Sequence, residues 1–312
     1  MQVEEVPARS VLHPTGGFLR EGFTHTINLY RGCALGNSLC GTFCYAQWNA
    51  YHTRGRPWGS FLDVKTGIRE AYRRDYDRLK RPRAGPPRPL RIYMSSVTEP
   101  YPPQERSARR TRALLEEMLE RPPDLLVVQS HTPLVVDDLP LLAALQTRST
   151  VQVNITVETD KETPPPGFPR HMYLPSARIT ALGEVRSAGI TAVGVVSPLF
   201  PLDDPWRFAR ALEAACDRVI LDHYLIGDGS PGGLRTRQSR FPGLLIAAGY
   251  ARWTALDVLR EVEAIFREVF RDPDRVGVSR KGFNRASFAQ VKPPGRDAAG
   301  ARAPLAGPSP PR

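Results

Sequence analysis

The stretch Asn28-Leu-Tyr-Arg-Gly-Cys33-Ala-Leu-Gly-Asn-Ser-Leu-Cys40-Gly-Thr-Phe-Cys44-Tyr-Ala46 carries three of the four cysteines in 312 residues. Its opening overlaps the end of an apolar, strand-like run, Thr24 to Leu29. A tetrahedral structural zinc site takes four protein ligands, whereas a four-iron cluster held by three thiolates keeps one iron open to a further ligand. Three cysteines in one loop behind a strand therefore point to chemistry. The competing reading is a structural zinc site completed by His52 or Cys216, but zinc ligands usually come as paired knuckles, which this loop lacks. Cys216 falls at or just after the end of a helical stretch, where a buried, unreactive thiol is the ordinary outcome.

Outward from this loop, short apolar runs alternate with amphipathic stretches, the pattern of repeated strand-helix units and a parallel sheet. Six strands are expected, at Thr24 to Leu29, Leu90 to Met94, Leu125 to Gln129, Val151 to Val157, Thr191 to Val196 and Arg218 to Leu221. Helical periodicity falls between them, at Asp63 to Leu79, Gln104 to Glu120, Asp138 to Gln146, Ser176 to Ala188 and Trp206 to Ala215. A last amphipathic stretch, Thr254 to Phe270, reads as a C-terminal helix laid against the barrel. Arg81 to Pro89 and Glu162 to Pro169 read as loops inside a domain. The organisation expected is an N-terminal extension over 1–20, a barrel over 21–225, a C-terminal loop and helix packed on it over 226–291, and a disordered tail over 292–312, where the composition turns to Pro, Gly, Ala and Arg.

In parallel sheets chemistry sits at the C-terminal ends of the strands. The second strand runs into Ser95-Ser96-Val97-Thr98-Glu99-Pro100, the third into Ser130-His131-Thr132, the fifth into Ser197-Pro198 and the sixth into Asp222-His223-Tyr224. The fourth carries Asn154, Thr156 and Glu158, which strand alternation sends to one face. All are expected to converge on one mouth. Bland alternatives exist: Glu99 could cap the helix that begins near Gln104, and His131 and His223 could be satisfied strand-end histidines rather than acid-base groups. Tyr224 could supply a hydrogen atom or a hydrogen bond. His131, His223 and Tyr224 are the catalytic candidates.

The formal charge of +11 invites a nucleic-acid partner, because phosphate contacts supply most sequence-independent affinity for DNA or RNA. Of the 43 basic residues, however, 38 are arginine, with abundant proline and alanine, a bias that genome composition can also produce. The N-terminus lacks a basic region followed by an apolar run, and no stretch is long and apolar enough to span a membrane. The expectation is a soluble cytoplasmic protein without a membrane partner, in a reducing compartment that keeps the thiols available for metal.

The cysteine loop after a first strand, together with the strand-helix repeat, resembles the radical S-adenosylmethionine enzymes. Asn28-Leu-Tyr-Arg-Gly-Cys33 and Phe43-Cys44-Tyr45-Ala46 look like the branch related to spore photoproduct lyase. The resemblance implies an α/β fold, a partial (β/α)6 TIM-like barrel of the radical SAM type with a C-terminal helical extension. It implies that Cys33, Cys40 and Cys44 hold a [4Fe-4S] cluster and that the amino and carboxylate groups of S-adenosylmethionine chelate the fourth iron. Reductive cleavage of the cofactor would then give a 5′-deoxyadenosyl radical that abstracts hydrogen from a substrate. By the same resemblance Phe43 lies near the adenine, Thr98 and Glu99 stand where an acidic residue meets the methionine ammonium, and Asn154, Thr156 and Glu158 stand where ribose and carboxylate are contacted. A flavodoxin- or ferredoxin-type reductant would be an external partner, and the substrate, DNA or RNA among the options, is not identified. The cysteine gaps are six and then three residues, longer than the family's usual three and two. The reading from a different class is a non-catalytic nucleic-acid-binding protein with a structural zinc or iron-sulfur loop.

Overall fold

The computed structural model describes residues 1–81 and 88–285. Most of the connector expected at Arg81 to Pro89, and all of the tail expected at 292–312, lie outside the described residues. The strands are β1 Gln2–Pro7, β2 His13–Pro14, β3 His25–Ile27, β4 Tyr30–Gly32, β5 Phe61–Thr66, β6 Arg91–Met94, β7 Leu125–Ser130, β8 Thr150–Thr156, β9 Thr191–Val196, β10 Arg218–Leu221 and β11 Val276–Val278.

The main sheet runs β11-β10-β9-β8-β7-β6-β3-β2. The six expected strands are β3 and β6 to β10, all parallel and in chain order. Two edge strands extend them: β11 is parallel to β10, and β2 is antiparallel to β3. The fold is thus the expected α/β partial barrel. Alternation divides each strand between two environments. Val151, Val153 and Ile155 of β8 join the large apolar core under the helices, while Gln152, Asn154 and Thr156 take the other face. Helices Arg110–Glu120, Pro175–Ser187 and Pro205–Ala215 each bury an apolar stripe in that core. The C-terminal helix, Leu256–Phe270, lies against Pro205–Ala215 through Phe266 and Phe208, whose rings are 5.9 Å apart. Among the described residues no helix is long and apolar enough to cross a membrane.

The expected helix at Asp63 to Leu79 is corrected at its start. Phe61–Thr66 is a strand, pairing parallel with β1 and antiparallel with β4 in a separate three-stranded sheet, and the helix is Ile68–Leu79. The buried positions Val64, Ile68, Ala71 and Tyr72 are spaced as one helical face, so periodicity alone carries the helix through the strand. Gly67, at φ 67°, makes the break. The expected helix Gln104 to Glu120 is likewise two, Glu105–Ala108 and Arg110–Glu120, separated by Arg109 at φ 53°. The Glu105 carboxylate accepts from the backbone N–H groups of Arg110, Thr111 and Arg112 at 2.9–3.2 Å, capping the second helix from within the first.

Candidate functional site

A cavity of about 670 Å³ opens at the C-terminal ends of the barrel strands. Cys33, Cys40 and Cys44 line it from the loop that follows β4. That loop is wound tightly: a 3-10 turn at Ala34–Asn37, a helix at Leu39–Phe43 and a second 3-10 turn at Tyr45–Trp48. Two glycines permit the winding. Gly32, at φ 75°, has the Phe61 carbonyl where a Cβ would stand at 2.4 Å, and a Cβ on Gly41 would fall 1.8 Å from the Gly36 carbonyl oxygen. The longer cysteine gaps are taken up in these turns.

All four cysteines are free of disulfides. Burial pushes the thiols up, Cys33 to about 12, Cys44 to about 11 and Cys40 well above its ordinary value, and neighbouring cysteines raise Cys33 and Cys40 further. Three thiolates in such a place need a cation to hold them. Among the described residues no three His, Cys, Asp or Glu side chains stand close enough to share a single metal ion. Three thiols lining one cavity are the donor chemistry that a cluster with three cysteine ligands takes. Cys216 stands apart in the apolar core, its Sγ donating to the Leu212 carbonyl at 3.0 Å.

The segment after β6 brings Thr98 and Glu99 to the same cavity. Ser95, at φ 69°, turns the chain, and the Asn28 side chain steadies it by accepting from Val97 N at 3.1 Å and Thr98 N at 3.4 Å. Glu99 accepts from Ser130 Oγ at 2.7 Å, His131 N at 2.7 Å and Tyr101 N at 3.0 Å. Burial nevertheless pushes its carboxyl up to about 7 against these three donors. An arriving ammonium would favour the ionised form. Ser95 Oγ, buried and without a partner, adds an unused polar atom to the lining.

A chain of polar side chains fills the barrel beneath. Tyr93 Oη donates to Gln129 Oε1 at 2.8 Å, Gln129 Nε2 donates to Thr156 Oγ1 at 2.9 Å, and Asn154 Nδ2 reaches Gln129 Oε1 at 3.2 Å. His131 joins this chain to the cysteines, with Nε2 3.5 Å from Thr156 Oγ1 and Nδ1 3.7 Å from Cys40 Sγ. Burial lowers its imidazole to about 4, so the ring is neutral.

Of the residues singled out in the sequence, the three cysteines, Phe43, Thr98, Glu99, His131, Thr156 and Tyr224 line the cavity together. Asn154 lies one layer below. Glu158 sits past β8, clasped by both terminal nitrogens of Arg178 at 2.6 and 3.1 Å and faced by His171 Nδ1 at 3.5 Å, outside the lining. His223 caps helix Tyr224–Gly227, accepting from Leu225 N at 3.2 Å while its Nε2 meets the Trp253 carbonyl at 3.1 Å, and it also lies outside the lining. Tyr224 lines the wall with its ring stacked on His223 at 4.6 Å, and its hydroxyl donates to the Thr254 carbonyl at 3.3 Å. Sequence reasoning missed Gln129 and assigned no role of their own to Asn28 or to Ser95, although Ser95 was expected at the mouth. Asn28 stands in the quoted motif, but only the fold reveals its grip on the segment after β6.

No protein-family model matches the chain. It is 24% identical over 201 residues to an uncharacterised protein of Methanocaldococcus jannaschii, over 64% of this chain and 69% of that one. Among solved structures it is similar to a tyrosine-to-phenylalanine variant of spore photoproduct lyase, with a TM-score of 0.54 and 14% identity over 88% of this chain and 81% of the lyase. Spore photoproduct lyase complexed with dinucleoside spore photoproduct aligns at a TM-score of 0.48 and 14% identity, over 70% of this chain and 61% of that one, so the chain spans about three fifths of that lyase chain. The likeness at a TM-score of 0.54 shows that the barrel shares the fold of that lyase structure.

Proposed function

We propose that this chain is a radical SAM enzyme, with Cys33, Cys40 and Cys44 holding a [4Fe-4S] cluster and the cavity above them holding S-adenosylmethionine and the substrate. The carrying observation is the convergence of three free cysteines, Phe43, Thr98, Glu99 and Thr156 on one cavity at the C-terminal ends of parallel strands. When bound and reduced, the cluster supplies the electron that cleaves S-adenosylmethionine into methionine and a 5′-deoxyadenosyl radical.

The chain's own groups bind, orient and shield. Glu99, fixed by its three donors, presents a carboxylate for the methionine ammonium, a charge-assisted pair. Phe43 offers backbone and ring beside the third cysteine, where the adenine would lie. Thr156, fed by Gln129, and the unpartnered Ser95 hydroxyl are available to the ribose. Asn154 supports that layer through Gln129, and Glu158 secures the backbone end of β8 through Arg178, which also donates to the Thr156 carbonyl at 2.7 Å. His131, neutral and between Cys40 and Thr156, and Tyr224 in the cavity wall are the groups available to exchange hydrogen with substrate. Cys216 is sealed in the core, so this reading assigns it no such role. A one-electron donor of the flavodoxin or ferredoxin type would be the external partner.

The test is turnover. Anaerobically reconstituted protein with dithionite and S-adenosylmethionine should release 5′-deoxyadenosine, and Cys40→Ala should release none. Absence of the product from the wild-type protein with a full iron complement would sink the reading.

A further inference from the structure

The turn Tyr45–Trp48, which leads straight out of Cys44, packs against two short helices, Ala50–Thr53 and Leu234–Arg237. The second comes from far along the chain, and a glycine brings it there. Gly233, at φ 66°, lies so close to helix Tyr224–Gly227 that a Cβ would stand 2.5 Å from the Tyr224 carbonyl oxygen, so the chain doubles back on that helix before entering Leu234–Arg237. These elements hold large apolar side chains out of the protein: Trp48 is 45% exposed, Leu234 54%, and Ile226 of Tyr224–Gly227 41%. None of the three lines the cavity. Exposed apolar side chains on elements packed together mark a surface that another molecule covers.

Charge on these segments is one-sided. Residues 45–60 and 229–254 together contain six arginines and no aspartate or glutamate. Arg56 is taken by Asp63 and Arg252 by Glu261. Arg54, Arg237 and Arg240 are exposed, line no part of the cavity and make no ion pair among the described residues. Arg54 closes helix Ala50–Thr53 at φ 51° and Arg237 ends helix Leu234–Arg237, so both belong to the two helices beside the turn after Cys44. Tryptophan and arginine are enriched where proteins meet. The aliphatic Leu234 and Ile226 favour a protein over a nucleic-acid strand, which is held by cations and by aromatic faces for its bases.

Position relative to the cysteines selects the partner. Four residues at a rise of about 2 Å each put Trp48 about 8 Å along the turn from Cys44. Cys40 and Cys44 are partly exposed, whereas Cys33 is buried. Electron-transfer complexes are transient and small, below about 1,200 Å² of interface, a size that a turn and two short helices supply. We propose that the face carrying Trp48, Leu234, Arg54 and Arg237 docks an acidic protein electron carrier of the flavodoxin or ferredoxin class. One electron passes: the reduced carrier is oxidised by one electron, the cluster goes from the 2+ to the 1+ state, and no atom is transferred. The proposal rests on the three cysteines holding a cluster, and it adds where the reductant binds.

The probe is an acidic flavodoxin, titrated at low salt into the full-length chain with and without reconstituted cluster, and then used in its reduced form to reduce the cluster. Arg54→Glu combined with Arg237→Glu should weaken flavodoxin binding by at least about tenfold, and Leu234→Ser by at least about threefold. Arg54→Lys with Arg237→Lys should bind within about twofold of the wild type, whose own affinity should fall as salt is raised. Dithionite needs no docking face and should reduce the cluster in every variant as in the wild type, which also shows that the variants fold. Flavodoxin binding that is absent from the wild type, or that neither the charge reversal nor Leu234→Ser alters, overturns the proposal. An equal loss of reduction by dithionite overturns it as well, since these side chains would then support the cluster itself. If the charge reversal costs a fluorescent oligothymidylate its affinity while flavodoxin keeps its own, the face belongs to a nucleic-acid strand and the proposal fails. Because the binding titration needs no cluster, its outcome is independent of whether the protein cleaves S-adenosylmethionine.

Discussion

Glu99 is the residue on which the cofactor assignment turns. Three hydrogen bonds hold its carboxyl in place while burial opposes its ionisation, so an arriving ammonium gains both a fixed acceptor and a charge that the cavity otherwise suppresses. Glu99→Gln keeps an acceptor oxygen but removes the charge. It should weaken S-adenosylmethionine binding to the reconstituted protein by about tenfold or more, read by equilibrium dialysis, with the iron content unchanged. Unaltered affinity would place the ammonium elsewhere. At this scale the sequence was informative wherever a residue type is rare and its position fixed by a strand end, as for the cysteines, Glu99 and His131. It placed Ser95 at the mouth and Asn28 in the cysteine motif but gave neither a role, because an asparagine or serine beside a strand has many uses and only the turn at Ser95 selects one.

Among the elements, β10 carries a pH signature into the cavity wall. Burial pushes the Asp222 carboxyl at its end up to about 7, against donors from Ser279, Ser197 at 3.1 Å and His223 N at 3.0 Å. The folded state therefore binds more protons here than the unfolded chain between the ordinary value of 3.8 and about 7, and this residue's contribution to stability falls as pH rises through that window. Asp222→Asn removes the titration. The stability of the wild type relative to this variant should decline from pH 5 to pH 7 in denaturant unfolding, and a flat difference would refute the assignment. The parallel strands were legible because buried strands read as apolar runs between helices. The N-terminal sheet was not: β5 shares its apolar spacing with the helix that follows, and the partner that decides for a strand, β1, is remote in sequence and mostly exposed.

For the molecule as a whole, the C-terminal segment is what closes the cysteine loop against the barrel. Phe241 packs on Phe43 at 5.4 Å, on Tyr224 at 5.5 Å and on Phe200 at 6.1 Å, joining helix Phe241–Ala247 to the residue beside the third cysteine. Phe241→Ala should cost ~3–5 kcal/mol of stability and should speed the loss of iron to a chelator; a destabilised variant that holds iron as long as the wild type would separate this packing from the cysteine loop. The proposed chemistry requires three cysteines holding a cluster with one iron open to S-adenosylmethionine. The direct measurement is EPR of the anaerobically reconstituted, dithionite-reduced protein with and without the cofactor. A reduced [4Fe-4S] signal that changes on adding S-adenosylmethionine and is lost in Cys40→Ala is expected. A cluster whose signal ignores the cofactor, or a protein that binds no cluster, would contradict it.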